Sequence, residues 1–443
     1  MELRDFIVTP IIILLVFTGA YLIRPYLTDE ISRKYFFPAL TVRILGALAL
    51  GVIYQFYYDG GDTFNYHTFG SRIVWESFMD NPVTGLRLIF GSTNDELGIY
   101  TYSSRILFFH DPNSYFVIRI AALFDILTFS SYSATAVLFS LISFTGMWML
   151  FRTFYKQYPH LHLWIALATC FVPSVFFWGS GLLKDTVIIG CLGMATYFIS
   201  ELFIERRFSV LSMVFLIIVL YIIFRIRVFV LEAFLPAVLI WLFANNFRLI
   251  RSTVIKFMAV PFVVSLLLWS VYFIVINIGK SNVKYSVENL TKTSQITAYD
   301  IGFYTGRRAG SGYNLRISDW TVPGMLKAVP AAVNVSLFRP YLWEVKNPLM
   351  LISSLESTFL ILFTLYVIIK NFRSIFSVWG NPVILFCLTF SITFAFAVGI
   401  STFNFGTLAR YKIPILPFFL LALILTWDYS NRARKVAALE PTE

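Results

Sequence analysis

The chain has 443 residues, of which 58% are hydrophobic and only 13% charged, with 47 Phe, 24 Tyr and a net charge of +11. A water-soluble protein carries about 25% charged residues, so the composition excludes an ordinary soluble globular domain. Cys170, Cys191 and Cys387 all fall inside apolar runs without metal-ligand spacing, so they read as small core residues and imply no disulfide framework.

In chain order, apolar runs predict membrane spans at about 6–23, 36–57, 133–152, 161–178, 186–204, 209–224, 228–245, 257–278, 347–369, 381–400 and 413–427. Each run approaches the length needed to cross about 30 Å of hydrocarbon. The expected fold is therefore all-α: one integral membrane domain over residues 1–443 with about eleven transmembrane helices. The first run is followed by Arg24 and not by a small-residue cleavage site, so no cleavable signal peptide is expected.

Alternate connections are basic. They hold Arg24, Arg33 and Lys34, then Arg152 and Lys156, then Arg206 and Arg207, then Arg248, Arg251 and Lys256, then Lys370 and Arg373, and the tail adds Arg432, Arg434 and Lys435. The positive-inside rule puts these segments in the cytoplasm, the N-terminus outside and the tail inside. Orientation and anionic lipid headgroups account for the charge, so nucleic acid is not an expected partner and membrane lipids are.

Two long segments, 58–132 and 279–346, then fall outside. In the first, the stretches Pro82–Phe90 and Asn113–Ile120 mix aromatic, aliphatic and basic residues and read as helices lying at the interface. The second is polar in the middle, with the flexible basic run Arg307-Arg308-Ala309-Gly310-Ser311-Gly312-Tyr313.

The chemistry concentrates where the second span ends, in Tyr57-Tyr58-Asp59-Gly60-Gly61-Asp62-Thr63-Phe64-Asn65-Tyr66-His67. Charge beside hydrocarbon is costly and tends to be functional. Asp59 and Asp62 are candidates to act as a catalytic base, or to hold a divalent cation such as Mg or Mn. A turn or helix cap is the plainer account of Asp62, which makes Asp59 the better catalytic candidate. His67 reads as a ligand, a proton carrier or an ordinary interfacial histidine. His110 reads as a turn residue, and Glu232 and Glu356 fall inside spans.

Cations also stand on the outer connections, against the orientation rule: Lys184, Arg225, Arg227, Arg339, Arg410 and Lys412. Taken singly, Arg225, Arg227 and Lys412 read equally as snorkelling side chains, whereas Lys184, Arg339 and Arg410, flanked by Gly, Pro and aromatic residues, lean towards function. Together they suit an anion at the outer leaflet, since Arg forks and Lys point charges match phosphate oxygens. Lys184 in addition begins a span, where peptide dipoles favour an anion.

Carboxylates, cations and a large aromatic surface on one face fit transfer of a sugar from a polyprenyl-phosphate or -pyrophosphate carrier to a glycan, lipid or protein acceptor. The chain resembles the GT-C class of polytopic glycosyltransferases, whose first long outer loop carries an essential acidic residue and interfacial helices. Asp59 and Asp62 occupy that place. Arg410-Tyr411-Lys412-Ile413-Pro414-Ile415-Leu416-Pro417 is similar to an Arg-Tyr-x-x-Pro-x-x-Pro pattern of bacterial cell-envelope glycosyltransferases and polysaccharide polymerases. Pro173–Trp178 with Lys184-Asp185, and Phe338-Arg339-Pro340 with Trp343-Glu344, resemble segments of membrane proteins from exopolysaccharide loci. The resemblance implies a bacterial inner-membrane enzyme with its active site facing the periplasm or exterior. It departs from the GT-C pattern in an extra span before the acidic loop and in lacking a large soluble C-terminal domain.

An O-antigen-type polymerase or ligase is the second reading, resting on Arg307, Arg308, Arg316 and Arg339 in the late outer segment. A transporter or flippase of a lipid-linked anion comes third, because such proteins place ionisable residues and broken helices at mid-membrane. Intramembrane proteolysis and acyl transfer fit less well, since no Ser/His or Cys arrangement falls within a span.

Overall fold

The structure, a computed structural model, describes residues 2–94, 97–246, 312–315, 317, 322–372 and 380–439, with isolated positions 265, 269 and 272. The span expected at 257–278, apart from those positions, lies outside the described residues, as do Arg307, Arg308 and Arg316. Every described element is a helix, and the one strand-like pairing among the described residues is an isolated bridge between Gly312 and Asn404.

Seven described helices are long and apolar enough to cross a membrane. An eighth forms if Phe405–Tyr411 and Ile415–Tyr429, which meet at a 65° bend, are one span. This is the architecture of a polytopic membrane protein.

Two of the expected spans take another form. The run 161–178 is not one helix: it breaks into His162–Cys170 and Pro173–Trp178. Pro173 disfavours the helical conformation in the residue before it, and Val172 is extended at φ −67° and ψ 123°. The run 209–224 becomes Val210–Ile226, a 17-residue helix. The chain folds as two compact units, Met1–Val228 and Phe229–Glu443.

In the first unit the membrane-length helices are α1 (Leu3–Leu27), α2 (Arg33–Phe56), α8 (Tyr132–Gln157) and α11 (Lys184–Ile199, extended by a π turn to Ile204). Between α2 and α8 the 58–132 segment folds into α3 (Asp62–Tyr66), a π turn at His67–Ser71, α4 (Arg72–Asp80), α5 (Pro82–Phe90), α6 (Tyr100–Ser103) and α7 (Pro112–Thr128). Asx-Pro pairs start two of these. The Asn81 side chain accepts from the Val83 N–H at 2.9 Å and Asp111 from the Asn113 N–H at 3.1 Å, each with proline as the first helical residue. Residues His162–Cys170 are α9, Pro173–Trp178 are α10 and Val210–Ile226 are α12.

α8 is the hub of this unit. It meets α11 through glycines: a Cβ on Gly146 would run into the Gly190 carbonyl, one on Gly190 into the Ile142 carbonyl, and one on Gly193 into the Gly146 carbonyl. With no hydrophobic drive between helices in lipid, such close backbone approach supplies the van der Waals contact that holds them. On its other side α8 stacks aromatic rings, Trp148 lying 5.0 Å edge-on from Phe36 of α2 and 5.0 Å from Phe151.

Arg43 of α2 is 1% exposed inside a span. Its guanidinium donates to the Val175 carbonyl at 2.9 Å and the Gly179 carbonyl at 3.1 Å, capping the C-terminus of α10. A helix C-terminus leaves carbonyls unsatisfied and is electronegative, which is what a buried cation needs.

The two ends of this unit differ in chemistry. At one end the start of α1 meets the start of α8, where Asp5 accepts from the Ser131 hydroxyl at 2.7 Å and the Ser133 N–H at 3.2 Å. The 58–132 segment shares that end, Arg72 reaching Glu2 at 2.5 Å. At the other end Tyr155 of α8 donates to Asp29 at 2.7 Å and Lys156 pairs with Glu205 at 3.3 Å.

In the second unit Val228–Asn246, Pro348–Asn371 and Pro382–Thr402 are membrane-length. The second packs beside Ile415–Leu439, and the third packs against both Ile415–Leu439 and the shorter Val329–Phe338. A buried aromatic column joins Trp241, Phe386, Phe390 and Phe418. Cys170, Cys191 and Cys387 are buried and unpaired, as expected of core residues.

Candidate functional site

The turn after α2 is made by three consecutive residues in the left-handed region: Asp59 at φ 54°, Gly60 at 119° and Gly61 at 118°. Only glycine reaches the last two values without strain. The reversal directs Asp59 to solvent, where it is exposed, and makes Gly61 the residue preceding α3. Asp62 is then the first residue of α3, half-buried, with its charge in the first turn, where the helix dipole favours an anion. The two carboxylates therefore have different settings.

Asp62 belongs to a cluster built from four elements. Lys184, the first residue of α11, lies 3.7 Å from Asp111, which starts α7. Its ammonium also interacts electrostatically with Asp62, Asp185 and Arg227. Asp185 is fully buried beside it and pairs with Arg227, at the end of α12, at 2.6 Å. Asp111 is oriented by its helix-starting bond to the Asn113 N–H and by the Ser114 hydroxyl. Tyr66 of α3 reaches the same Ser114, and burial together with the Asp62 charge raises its phenol above the ordinary value. Arg225 lies 5.9 Å over the Phe116 ring of α7, and its buried Nε has no hydrogen-bond partner.

Such an arrangement has clear electrostatic roles. Asp185 neutralises Arg227, so that pair fixes the end of α12 to the start of α11. Lys184 remains with only Asp111 near ion-pair distance and a side chain 17% exposed, while Arg225 has no carboxylate within ion-pair distance among the described residues. Lys184 thus faces the half-exposed Asp111, with the half-buried Asp62 in its electrostatic field and Arg225 over the Phe116 ring of the neighbouring α7. An anion would be held by the cations and a hydroxyl proton removed by a carboxylate.

His67 sits elsewhere. It is 1% exposed, its Nε2 is 3.6 Å from the buried carboxylate of Asp125, and its ring stands edge-on to Tyr132 at 5.4 Å. Asp125 in turn accepts from the Thr135 hydroxyl at 2.6 Å. The histidine belongs to the polar interior beneath the segment and not to its surface.

The other three expected cations belong to the second unit. Arg339 forms an ion pair through two nitrogens with Glu344 and lies over the rings of Phe405, Tyr341 and Tyr313 at 5.1, 5.7 and 5.8 Å. Hydrogen bonds from Arg339 and the Tyr341 N–H outweigh burial and hold the Glu344 carboxyl below its ordinary value. Lys412 is 1% exposed in the bend between Phe405–Tyr411 and Ile415–Tyr429, donating to Ser357 Oγ at 3.1 Å and the Arg339 carbonyl at 3.4 Å. Arg410, two residues earlier, is half-buried. The six cations divide evenly between the two units.

Among the described residues no three His, Cys, Asp or Glu side chains are grouped as a metal centre would need. Sequence reasoning missed Asp111, Asp185, Tyr66 and Arg43. Asp185 is adjacent to the singled-out Lys184, and Arg43 interrupts an apolar run, so both carried a signal. Asp111 and Tyr66 carried none, because each becomes interesting only through its neighbours.

Comparison with protein-family models, with curated protein sequences and with solved structures finds no match in any of the three. Fold and site together define a polytopic helical membrane protein with a charged cluster at one end of its first unit.

Proposed function

We propose that this protein is a membrane glycosyltransferase that moves a sugar from a polyprenyl-phosphate-linked donor to an acceptor hydroxyl at the outer membrane face. The observation that carries the reading is Lys184 at 3.7 Å from Asp111 and within the electrostatic influence of Asp62, with Arg225 of α12 over the Phe116 ring of α7. In the proposed reaction Asp62 accepts the acceptor's hydroxyl proton. The freed oxygen bonds to the anomeric carbon, the bond from that carbon to the phosphate oxygen breaks, and the electron pair leaves on the phosphate. Lys184 and Arg225 hold the charge that develops there. Asp111 is already engaged by the Asn113 N–H and Ser114, so its role is to orient Lys184.

This reading places Asp62 ahead of Asp59 as the base. A divalent cation held by Asp62 and Asp59 is a further option within it, one that chelation would expose. The basic connections Arg24 to Lys34, Arg152 to Lys156 and Arg206 to Arg207 support a cytoplasmic placing of the opposite end, hence an outward-facing cluster.

The test uses detergent-solubilised full-length protein, a panel of labelled polyprenyl-phosphate sugars and separate Asp59→Asn and Asp62→Asn variants. Loss of transfer in Asp62→Asn alone is the expected result. Transfer intact in both variants sinks the proposal, and lipid translocation without transfer in reconstituted vesicles points to the flippase instead.

A further inference from the structure

The end of the first unit opposite the charged cluster holds a cavity of about 210 Å³ between the end of α1, the start of α2 and the last turns of α8. Its polar lining comes from Tyr26, Asp29, Ser32, Arg152, Tyr155 and Lys156. The charges of this lining are unequally matched. Asp29 is satisfied within the protein: one oxygen accepts from the Ser32 N–H at 2.7 Å and the Ser32 hydroxyl at 2.6 Å, the other from Tyr155 at 2.7 Å. Burial pushes its carboxyl upward, but those bonds outweigh burial and hold it below the ordinary value. Lys156 is shared with Glu205 at 3.3 Å. Arg152 has no carboxylate within ion-pair distance among the described residues; its guanidinium lies over the Tyr197 ring at 5.8 Å.

A partly buried guanidinium with no carboxylate at ion-pair distance is costly, and a phosphate group is the partner its fork geometry fits. The setting also has an apolar side. Tyr26 on the rim is 84% exposed, and Leu22 and Ile23 of the same helix are 64% and 53% exposed on a membrane-length helix. Basic pockets between transmembrane helices on the cation-rich side suit anionic headgroups, whose acyl chains then run along the helix surface.

We infer that this cavity binds a phosphate-bearing anion through Arg152, with Lys156 beside it, while the Ser32 and Tyr155 hydroxyls stay engaged on Asp29 and screen its charge. The site is independent of the proposed transfer reaction and stands or falls separately from it.

Native mass spectrometry of the detergent-solubilised full chain with phosphatidylglycerol and phosphatidylcholine provides the test. The wild type should bind phosphatidylglycerol about fivefold more tightly, the discrimination expected of one unmatched cation. Arg152→Gln should lose the preference while Arg152→Lys keeps most of it, which separates loss of charge from loss of packing on Tyr197. Arg207→Gln, at an arginine 74% exposed at the same end and paired with Glu205 at 3.7 Å, should change the preference far less than Arg152→Gln. Preference retained in Arg152→Gln, or lost equally in Arg207→Gln, overturns the inference. Inorganic phosphate then distinguishes the sources: Arg152-dependent displacement of the lipid assigns the cavity to a soluble phosphate, and no displacement assigns it to the headgroup.

Discussion

Both units place arginine and lysine where apolar helices end, but they surround them differently. In the second unit Arg339 meets a carboxylate five residues away on its own connection, with three aromatic rings around it, and Lys412 is enclosed by Ser357 and a backbone carbonyl. In the first unit the ion-pair partner of Lys184, Asp111, comes from a helix start remote in sequence, and the buried Arg225 Nε has no hydrogen-bond partner among the described residues. A cation whose donors are taken up by the protein, whether by a neighbour in sequence as for Arg339 or by a remote helix as for Lys412, holds structure together, whereas one with donors to spare is available to a ligand. Position at a membrane edge therefore does not identify a ligand site until each cation's partners are known.

The sharpest way to break this contrast is to remove one cation from each unit. Lys184→Ala should lower sugar transfer by about 10²–10³-fold, the typical loss of one preorganised donor to developing charge, with Arg339→Gln within a few-fold of wild type. Equal losses in steady-state transfer assays would erase the distinction. Next in size is the packing that aligns the first unit's cluster. Gly146→Leu inserts a side chain against the Gly190 backbone and should cost at least about 1–3 kcal/mol, read as a lowered melting temperature in detergent. Gly19, where an added Cβ meets nothing within 4 Å, should accept alanine without that loss.

A smaller effect sharpens the account of the second unit. Arg339→Gln and Glu344→Gln should each destabilise, with the double variant recovering a coupling of about 0.5–3 kcal/mol in a double-mutant cycle. An additive cycle would show the pair to be incidental. The smallest expected effect is on pH. Asp29 and Glu344 both have depressed folded-state values, against ordinary values of 3.8 and 4.5. Their stabilisation is therefore present above those values and is lost as pH falls through the lower folded ones. Melting curves below pH about 4.5 should flatten in Glu344→Gln relative to wild type.

How much of this was legible in the chain itself varies by element. The helices α1, α2, α8 and α11 and the spans at 228–246, 348–371 and 382–402 were readable, because long apolar runs have no soluble alternative and lipid forces helices on them. The break at Pro173 was readable in principle but masked by averaging hydropathy over the run. The acidic turn was found, but its two carboxylates were ranked by sequence neighbours alone. In the structure Asp59 is exposed and Asp62 is half-buried at the start of α3, a difference set by the turn and not by either residue's sequence neighbours.

By itself, then, the amino-acid order determined the class of molecule: composition and run length require helices in a membrane, and the basic connections define which end of them is cation-rich. Only the tertiary structure decided which charges meet. Asp62, Asp111, Lys184, Arg225 and Arg227 come from α3, α7, α11 and α12 or their ends, and their approach follows from the packing of α7 against α3 and α12 and of α12 against α11. No local periodicity encodes such pairings, since Coulomb energy depends on distances that the packing of whole helices sets.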